Sequence, residues 1–293
     1  MEQKSKTSIT FSRLLKLALI AGVIFYAGMC LLVYIFQRDL LFHPIIRSAA
    51  EVDQLAQAAH MERWTNAAGQ FIGLRRLATN QPAVGTVFML YGNGSTAVNC
   101  SFYADAIQQA APLDFYVLEY PGYEDRPGPP TRESLLNAAN EALPRIDAGK
   151  PVYLVGESLG TGVAAYLAGE FPEKVTGLML LSPYNRLADV AQSHYPLMPT
   201  RWVMRDDLRP ENYLQTFHGL LGVMIDGKDS VVPPEFGHRL YDGYTGPKRA
   251  WEYPNCNHVE LGESPETFWK AVVEFWQTGK TNATVGIISN SKI

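Results

Sequence analysis

Little in this chain points to metal, redox or nucleic-acid chemistry. Its 293 residues include three cysteines, Cys30, Cys100 and Cys256, with no C-x-x-C pair and no Cys/His spacing of the zinc-binding kind. A cysteine-built metal site and a disulfide framework are therefore not indicated. Cys100 and Cys256 are expected as two separate buried thiols, ahead of a disulfide between them. Charge of either sign is not in excess, since 25 basic and 29 acidic residues leave a formal net charge of −4. There is no Lys/Arg stripe interleaved with aromatics, which argues against a nucleic-acid partner. Internal repeats and low-complexity tracts are also missing. At 47% hydrophobic, the chain can bury one large core of the size common in single α/β domains.

The first positive feature is the uncharged apolar run from Leu17 to Phe36, LALIAGVIFYAGMCLLVYIF, which has the length of a bilayer-crossing helix. A cleavable signal normally carries about 7 to 15 apolar residues and a small-x-small cleavage site, and neither fits here. A lipoprotein signal would place a small residue before Cys30, where Met29 stands. The apolar residues surround the helix instead of forming one stripe, which argues against a core helix. Lys4, Lys6, Arg13 and Lys16 precede the run against Glu2, while Arg38 and Asp39 beyond it cancel. This bias predicts a cytoplasmic N-terminus and an extracytoplasmic domain, in the periplasm or a lumen. The expected division is a basic cytoplasmic segment 1–16, a single transmembrane helix 17–36, a juxtamembrane linker 37–62 with a short helix near 49–56, a folded domain 63–277 and a disordered tail 278–293.

Within the domain, 71–77 reads as an early strand with one exposed face. The runs 85–91, 113–118, 152–155, 175–181 and 220–225 are short and apolar, and 249–253 reads as a further strand. Helical stretches at 102–110, 131–142 and 163–169 lie between them, with a last helix near 265–277. That alternation predicts an α/β fold with a mostly parallel sheet. The segment 185–218 reads as a short lid insertion whose Trp202 and Met204 could line an acyl groove or simply pack.

Chemistry concentrates at Gly156-Glu157-Ser158-Leu159-Gly160, which follows the strand Val152–Val155 and opens a helix. A G-x-S-x-G turn between strand and helix exposes a serine hydroxyl, with glycines where neighbouring chain comes too close for a Cβ. A serine is a poor nucleophile at neutral pH and needs an imidazole base held by an acid. This elbow resembles that of α/β hydrolases, in which the acid follows a late strand and the histidine precedes the last helix. Asp229, past the turn after Leu221–Ile225, is the candidate acid; Asp226 is the alternative, with a turn-capping role expected for it. His258 is the candidate base. His43 and His60 precede the fold, and His194, His218 and His238 fall in the insertion, before the acid's strand and in a helix. For the oxyanion, one donor is expected at the Leu159 amide and the other in Tyr91-Gly92-Asn93-Gly94, with Asn93 favoured and Gly94 next.

Together, Tyr91–Gly94, Gly156–Gly160, Asp229-Ser230-Val231-Val232-Pro233 and Asn257-His258 resemble the α/β-hydrolase superfamily over roughly 63–277. Gln37-Arg38-Asp39-Leu40-Leu41-Phe42-His43-Pro44 and Glu119-Tyr120-Pro121-Gly122-Tyr123 look like its membrane-anchored, small-lid, Bem46-like branch. The sequence departs from that branch at Tyr91, where relatives carry histidine, and in the tighter turn Gly227-Lys228-Asp229. The resemblance implies a serine hydrolase of esterase, lipase or thioesterase type, working through an acyl-enzyme without metal or cofactor. The anchor favours lipid-like ester substrates. An aminopeptidase-like or prolyl-peptidase-like enzyme, with Asp206, Asp207 or Glu211 binding an amine, is the catalytic alternative. A non-catalytic membrane-bound scaffold is the other.

Overall fold

Each apolar run from Gly85 onward becomes a strand of one sheet in the computed structural model, which describes residues 4–146 and 149–281. From residue 282 on, the expected tail lies outside the described residues, as does the start of the basic N-terminus. The strands are β1 (Glu62–Thr65), β2 (Phe71–Arg76), β3 (Gly85–Leu90), β4 (Leu113–Leu118), β5 (Val152–Glu157), β6 (Val175–Leu181), β7 (Leu220–Asp226) and β8 (Lys248–Tyr253). Their spatial order is β1-β2-β4-β3-β5-β6-β7-β8. β1 and β2 run antiparallel to their neighbours, and every pairing from β4 to β8 is parallel.

The helices are α1 (Lys4–Leu41), α2 (Ala49–Ala58), α3 (Ser101–Ala110), α4 (Arg132–Ala142), α5 (Leu159–Glu170), α6 (Leu187–His194), α7 (Thr200–Val203), α8 (Pro210–Tyr213), α9 (Pro234–Gly243) and α10 (Pro265–Thr278). α3 packs on α10, while α4 and α8 pack on α5. Helices therefore cover the central strands, which is why β3 is buried along its whole length and its sequence shows no alternation. Trp269, Phe268 and Phe275 of α10 are buried against this sheet.

The chain ahead of β2 is more structured than its polar composition suggests. Ser48 and Glu51 form a capping box on α2, which buries Val52 and Ala56. Trp64 of β1 meets the rings of Phe88 and Tyr116 edge-on. A four-residue edge strand is too short to reveal itself by periodicity.

Helix α1 is exposed from Phe11 to Met29 and meets the rest of the protein over its C-terminal part, from Tyr26 onward. The stretch Phe11–Leu41 is long and apolar enough to cross a membrane by length and composition. The insertion 185–218 is built of α6, α7 and α8 and lies against α1. Tyr26 donates to the Leu197 carbonyl at 2.6 Å, Gln37 accepts from the Arg205 amide at 2.7 Å, and Arg38 pairs with Asp206 at 2.8 Å. Trp202 is 90% exposed, so it neither packs nor lines a groove within the chain, whereas Met204 packs against the core.

Candidate active site

Ser158 stands where β5 gives way to α5, with φ +46° and ψ −116°. A serine is strained in that region of backbone space and persists only where its surroundings fix it. The surroundings are tight: a Cβ on Gly156 would sit 2.7 Å from the Thr161 Cα, and one on Gly160 would collide with the Leu90 carbonyl. Only glycine allows β3, β5 and α5 to approach so closely. The turn is held by the Ser158 amide donating to Leu181 at 2.9 Å and by Thr161 Oγ1 donating to the Ser158 carbonyl at 2.6 Å.

His258 lies beyond β8, and its Nε2 is 2.9 Å from Ser158 Oγ. Its Nδ1 is 2.6 Å from Asp229 Oδ2. Asp229 Oδ1 in turn accepts from the amides of Val231 and Val232, both at 2.8 Å. The carboxylate thus has one oxygen fixed by backbone and the other aimed at the imidazole. Ser158, His258 and Asp229, of which Ser158 and Asp229 stand 71 positions apart in the sequence, form one chain of hydrogen bonds.

Asp226 does something other than cap its own turn with its side chain. Its backbone carbonyl accepts from the Asp229 amide, but its carboxylate reaches Ser182 Oγ at 2.9 Å. Ser182 Oγ accepts from the Val259 amide at 3.0 Å, next to His258. Ser182 and Val259 both have positive φ, +47° and +54°. Asp226 therefore acts on the loop that carries the imidazole, both through Ser182 and at the Val259 and Glu260 amides. Burial, with the nearby Asp229 charge, pushes the Asp226 carboxyl up to about 6 against the pull of the Ser182 hydroxyl. Ser182 was invisible in the sequence, because a lone serine after a strand has no distinguishing pattern.

Leu159 is the first residue of α5, so its N–H has no partner within the helix and points with the helix's positive end. Asn93 follows β3 in the loop Gly92–Gly94, and its backbone N–H has no acceptor among the described residues. Glu157 braces this loop from below: its carboxylate accepts from the Gly92 amide and from the Tyr103 hydroxyl at 2.6 Å. Burial pushes the Glu157 carboxyl above its ordinary range, opposed by Tyr103, His258 and the Gly92 amide. Tyr91, the residue at which the sequence departs from the family it resembles, donates its hydroxyl to Glu119, whose other oxygen accepts from the Ala97 amide at 3.0 Å.

The remaining candidates have other partners. Asp206 pairs with Arg38, Asp207 with Arg186 and Arg209, and Glu211 accepts from Asn185 at 2.9 Å. Cys100 and Cys256 are both free and buried thiols. Tyr103 is buried, whereas Phe102 is half exposed beside a small apolar cavity that Leu261 and Trp269 also line. Among the described residues, no cluster of three or more His, Cys, Asp or Glu side chains could hold a metal ion.

The family model for the alpha/beta hydrolase fold matches residues 85–286. The chain belongs to the α/β-hydrolase family. This α/β hydrolase is 33% identical over 152 residues to an uncharacterized protein of Mycobacterium tuberculosis, covering 50% of this chain and 53% of the other. It is 29% identical over 203 residues to the lysophosphatidylserine lipase ABHD12 of Rattus norvegicus, covering 61% of this chain and 50% of that one. The hydrolase thus spans about half the length of these relatives. Among solved structures, its fold is similar to that of Est1E from Butyrivibrio proteoclasticus, with TM-score 0.58, 14% identity and coverage of 75% of this chain and 98% of that one. It is likewise similar to the monoacylglycerol lipase of Paleococcus ferrophilus, with TM-score 0.53, 18% identity and coverage of 70% and 98%.

Proposed function

We propose that this protein is a single-pass, membrane-anchored serine hydrolase that cleaves carboxylic esters or thioesters of lipid-like acyl groups. The observation that carries the reading is the continuous hydrogen-bond chain Ser158, His258, Asp229 ending at a strained strand-to-helix turn. In the reaction, His258 Nε2 takes the Ser158 proton as Oγ attacks the acyl carbon. The carbonyl oxygen, now negative, is held by the N–H groups of Leu159 and Asn93. Collapse expels the alcohol or thiol, which receives the proton from His258, and leaves the acyl group on Ser158. Water then attacks, giving its proton to His258; the acid leaves and Ser158 recovers its proton. Asp229 holds the imidazole with Nδ1 protonated and stabilises the positive charge it carries between these transfers.

Two features support the lipid-like substrate class: the apolar helix α1 against which the lid is tied, and the similarity to the lysophosphatidylserine lipase ABHD12. The charge bias about α1 supports an extracytoplasmic domain. An amine-binding peptidase receives less support, because Asp206, Asp207 and Glu211 are already engaged.

The test is labelling of detergent-solubilised protein with a fluorophosphonate, Ser158→Ala serving as control, followed by an acyl-chain series of esters. Labelling that the variant loses, with an optimum in chain length, is expected. Folded protein that does not label would refute the catalytic reading and favour a scaffold. Protease digestion of spheroplasts that spares the domain would refute the sidedness.

A further inference from the structure

The side chain of Asn93 is as constrained as its backbone. A carboxamide offers two N–H donors and two oxygen lone pairs, and all four are used here. Nδ2 donates to the Leu41 carbonyl and lies 2.8 Å from His43 Nδ1. Oδ1 accepts from the His43 amide and from the Tyr123 hydroxyl, both at 2.9 Å. The orientation of the carboxamide is not arbitrary, since a carbonyl can only accept and a backbone N–H can only donate. Consequently His43 Nδ1 is an acceptor and carries no proton.

Three of these four contacts come from the chain immediately at and beyond the end of α1. Leu41 is the last residue of that helix, and its carbonyl is one of those that helix geometry leaves without an internal partner. On the other side of the loop, Glu157 holds the Gly92 amide. The peptide presenting the Asn93 N–H is therefore clamped at both ends. Immediately beyond them, Gly94 has φ +70° and nothing within 4 Å of where its Cβ would be, so the chain on that side of Asn93 has no packing at Gly94 to fix it.

We propose that the junction Leu41–His43 is a positioning element of the oxyanion loop, acting with Tyr123 through the Asn93 side chain to aim the Asn93 N–H at the reacting oxygen. This rests on the hydrolase reading above. Oxyanion donors work by being in place before charge develops, so a loosened donor loses part of the 10²- to 10³-fold that its removal costs. Because the same end of α1 also holds the lid through Gln37 and Arg38, one juncture between the apolar helix and the domain braces both.

The experiment compares the full-length protein in detergent micelles with His43→Ala, His43→Asn and Tyr123→Phe. His43→Ala deletes the Nδ1 acceptor but keeps the backbone N–H; His43→Asn restores an acceptor oxygen at the same distance from the main chain. For a short-chain ester, His43→Ala and Tyr123→Phe are expected to lower kcat about tenfold with KM within about twofold. His43→Asn is expected to recover most of that loss. Hydrogen exchange over Gly92–Ser95 should quicken in His43→Ala and return towards normal in His43→Asn. Unchanged kcat, a loss that asparagine does not rescue, or a loss confined to KM would overturn the proposal. If the unmodified protein neither labels with fluorophosphonate nor turns over, the hydrolase reading fails, and the exchange at Gly92–Ser95 decides the clamp by itself.

Discussion

Replacing Asp229 by asparagine should stop turnover while leaving its loop in place. Asp229 Oδ1 accepts from two backbone amides, Val231 and Val232, at 2.8 Å each. The asparagine oxygen must keep those two bonds, because the alternative points an N–H₂ group at two N–H donors. Its Nδ2 then faces His258 Nδ1, which is 2.6 Å from the carboxylate in the parent. A ring nitrogen facing a donor must accept, so the imidazole proton moves to Nε2. That nitrogen is 2.9 Å from Ser158 Oγ and would present a proton where a lone pair is needed. The same exchange in a serine-protease triad lowers kcat about 10⁴-fold. Four decades correspond to about 5.4 kcal/mol of transition-state stabilisation. Initial rates on an aryl ester, with the thermal midpoint of unfolding as control, measure the effect. A folded Asp229→Asn protein that lost less than about tenfold would show that Asp229 does not set the tautomer, and the acid would have to be sought elsewhere.

Gly160→Ala should fail to accumulate as soluble, folded protein, because its Cβ collides with backbone of β3 that cannot retreat; a monomeric variant with a parental melting curve would contradict this. Burial pushes the Glu119 carboxyl up to about 8. The native state then holds a proton that the unfolded chain releases near 4.5, so stability should fall as pH rises from about 4.5 through about 8, by at most about 5 kcal/mol. Urea midpoints at pH 5 and pH 9 read this slope, and a Glu119→Gln variant with the parental slope would exclude Glu119 as its source. Asp206→Ala removes the buried acceptor of both Arg38 and the Arg132 amide. Since Arg38 can turn to solvent, the cost should be about 1 to 2 kcal/mol, with faster proteolysis in 185–218. Unaltered cleavage there would show that this pair does not tie the lid to α1.

The sheet was legible because strands buried on both faces must be short apolar runs, and β3 to β7 are such runs between turns and helices. Glycines at 156 and 160 marked the elbow for a local steric reason that a sequence can display. The turn between Asp226 and Asp229 let the sequence point to Asp229 as the side chain able to face His258, which lies 2.6 Å from it. By contrast, α2 and β1 pack through tertiary contacts that polar composition conceals. The link from Asp226 through Ser182 to Val259 joins three loops distant in sequence. The clamp on Asn93 joins residues 50 apart, and no spacing rule relates them.

Among the described residues, five other than glycine have positive φ, and Ser158, Ser182 and Val259 are three of them. All three flank the imidazole of His258. Each such conformation costs of order 1 to 3 kcal/mol, so the surroundings of His258 are where this fold is least at ease. Glycine at 158 would relax the turn and raise the melting temperature while removing the hydroxyl that faces His258. Selection for heat resistance alone would therefore tend to dismantle this corner first, and its retention in a working enzyme would mark activity, rather than durability, as what the sequence has been held to.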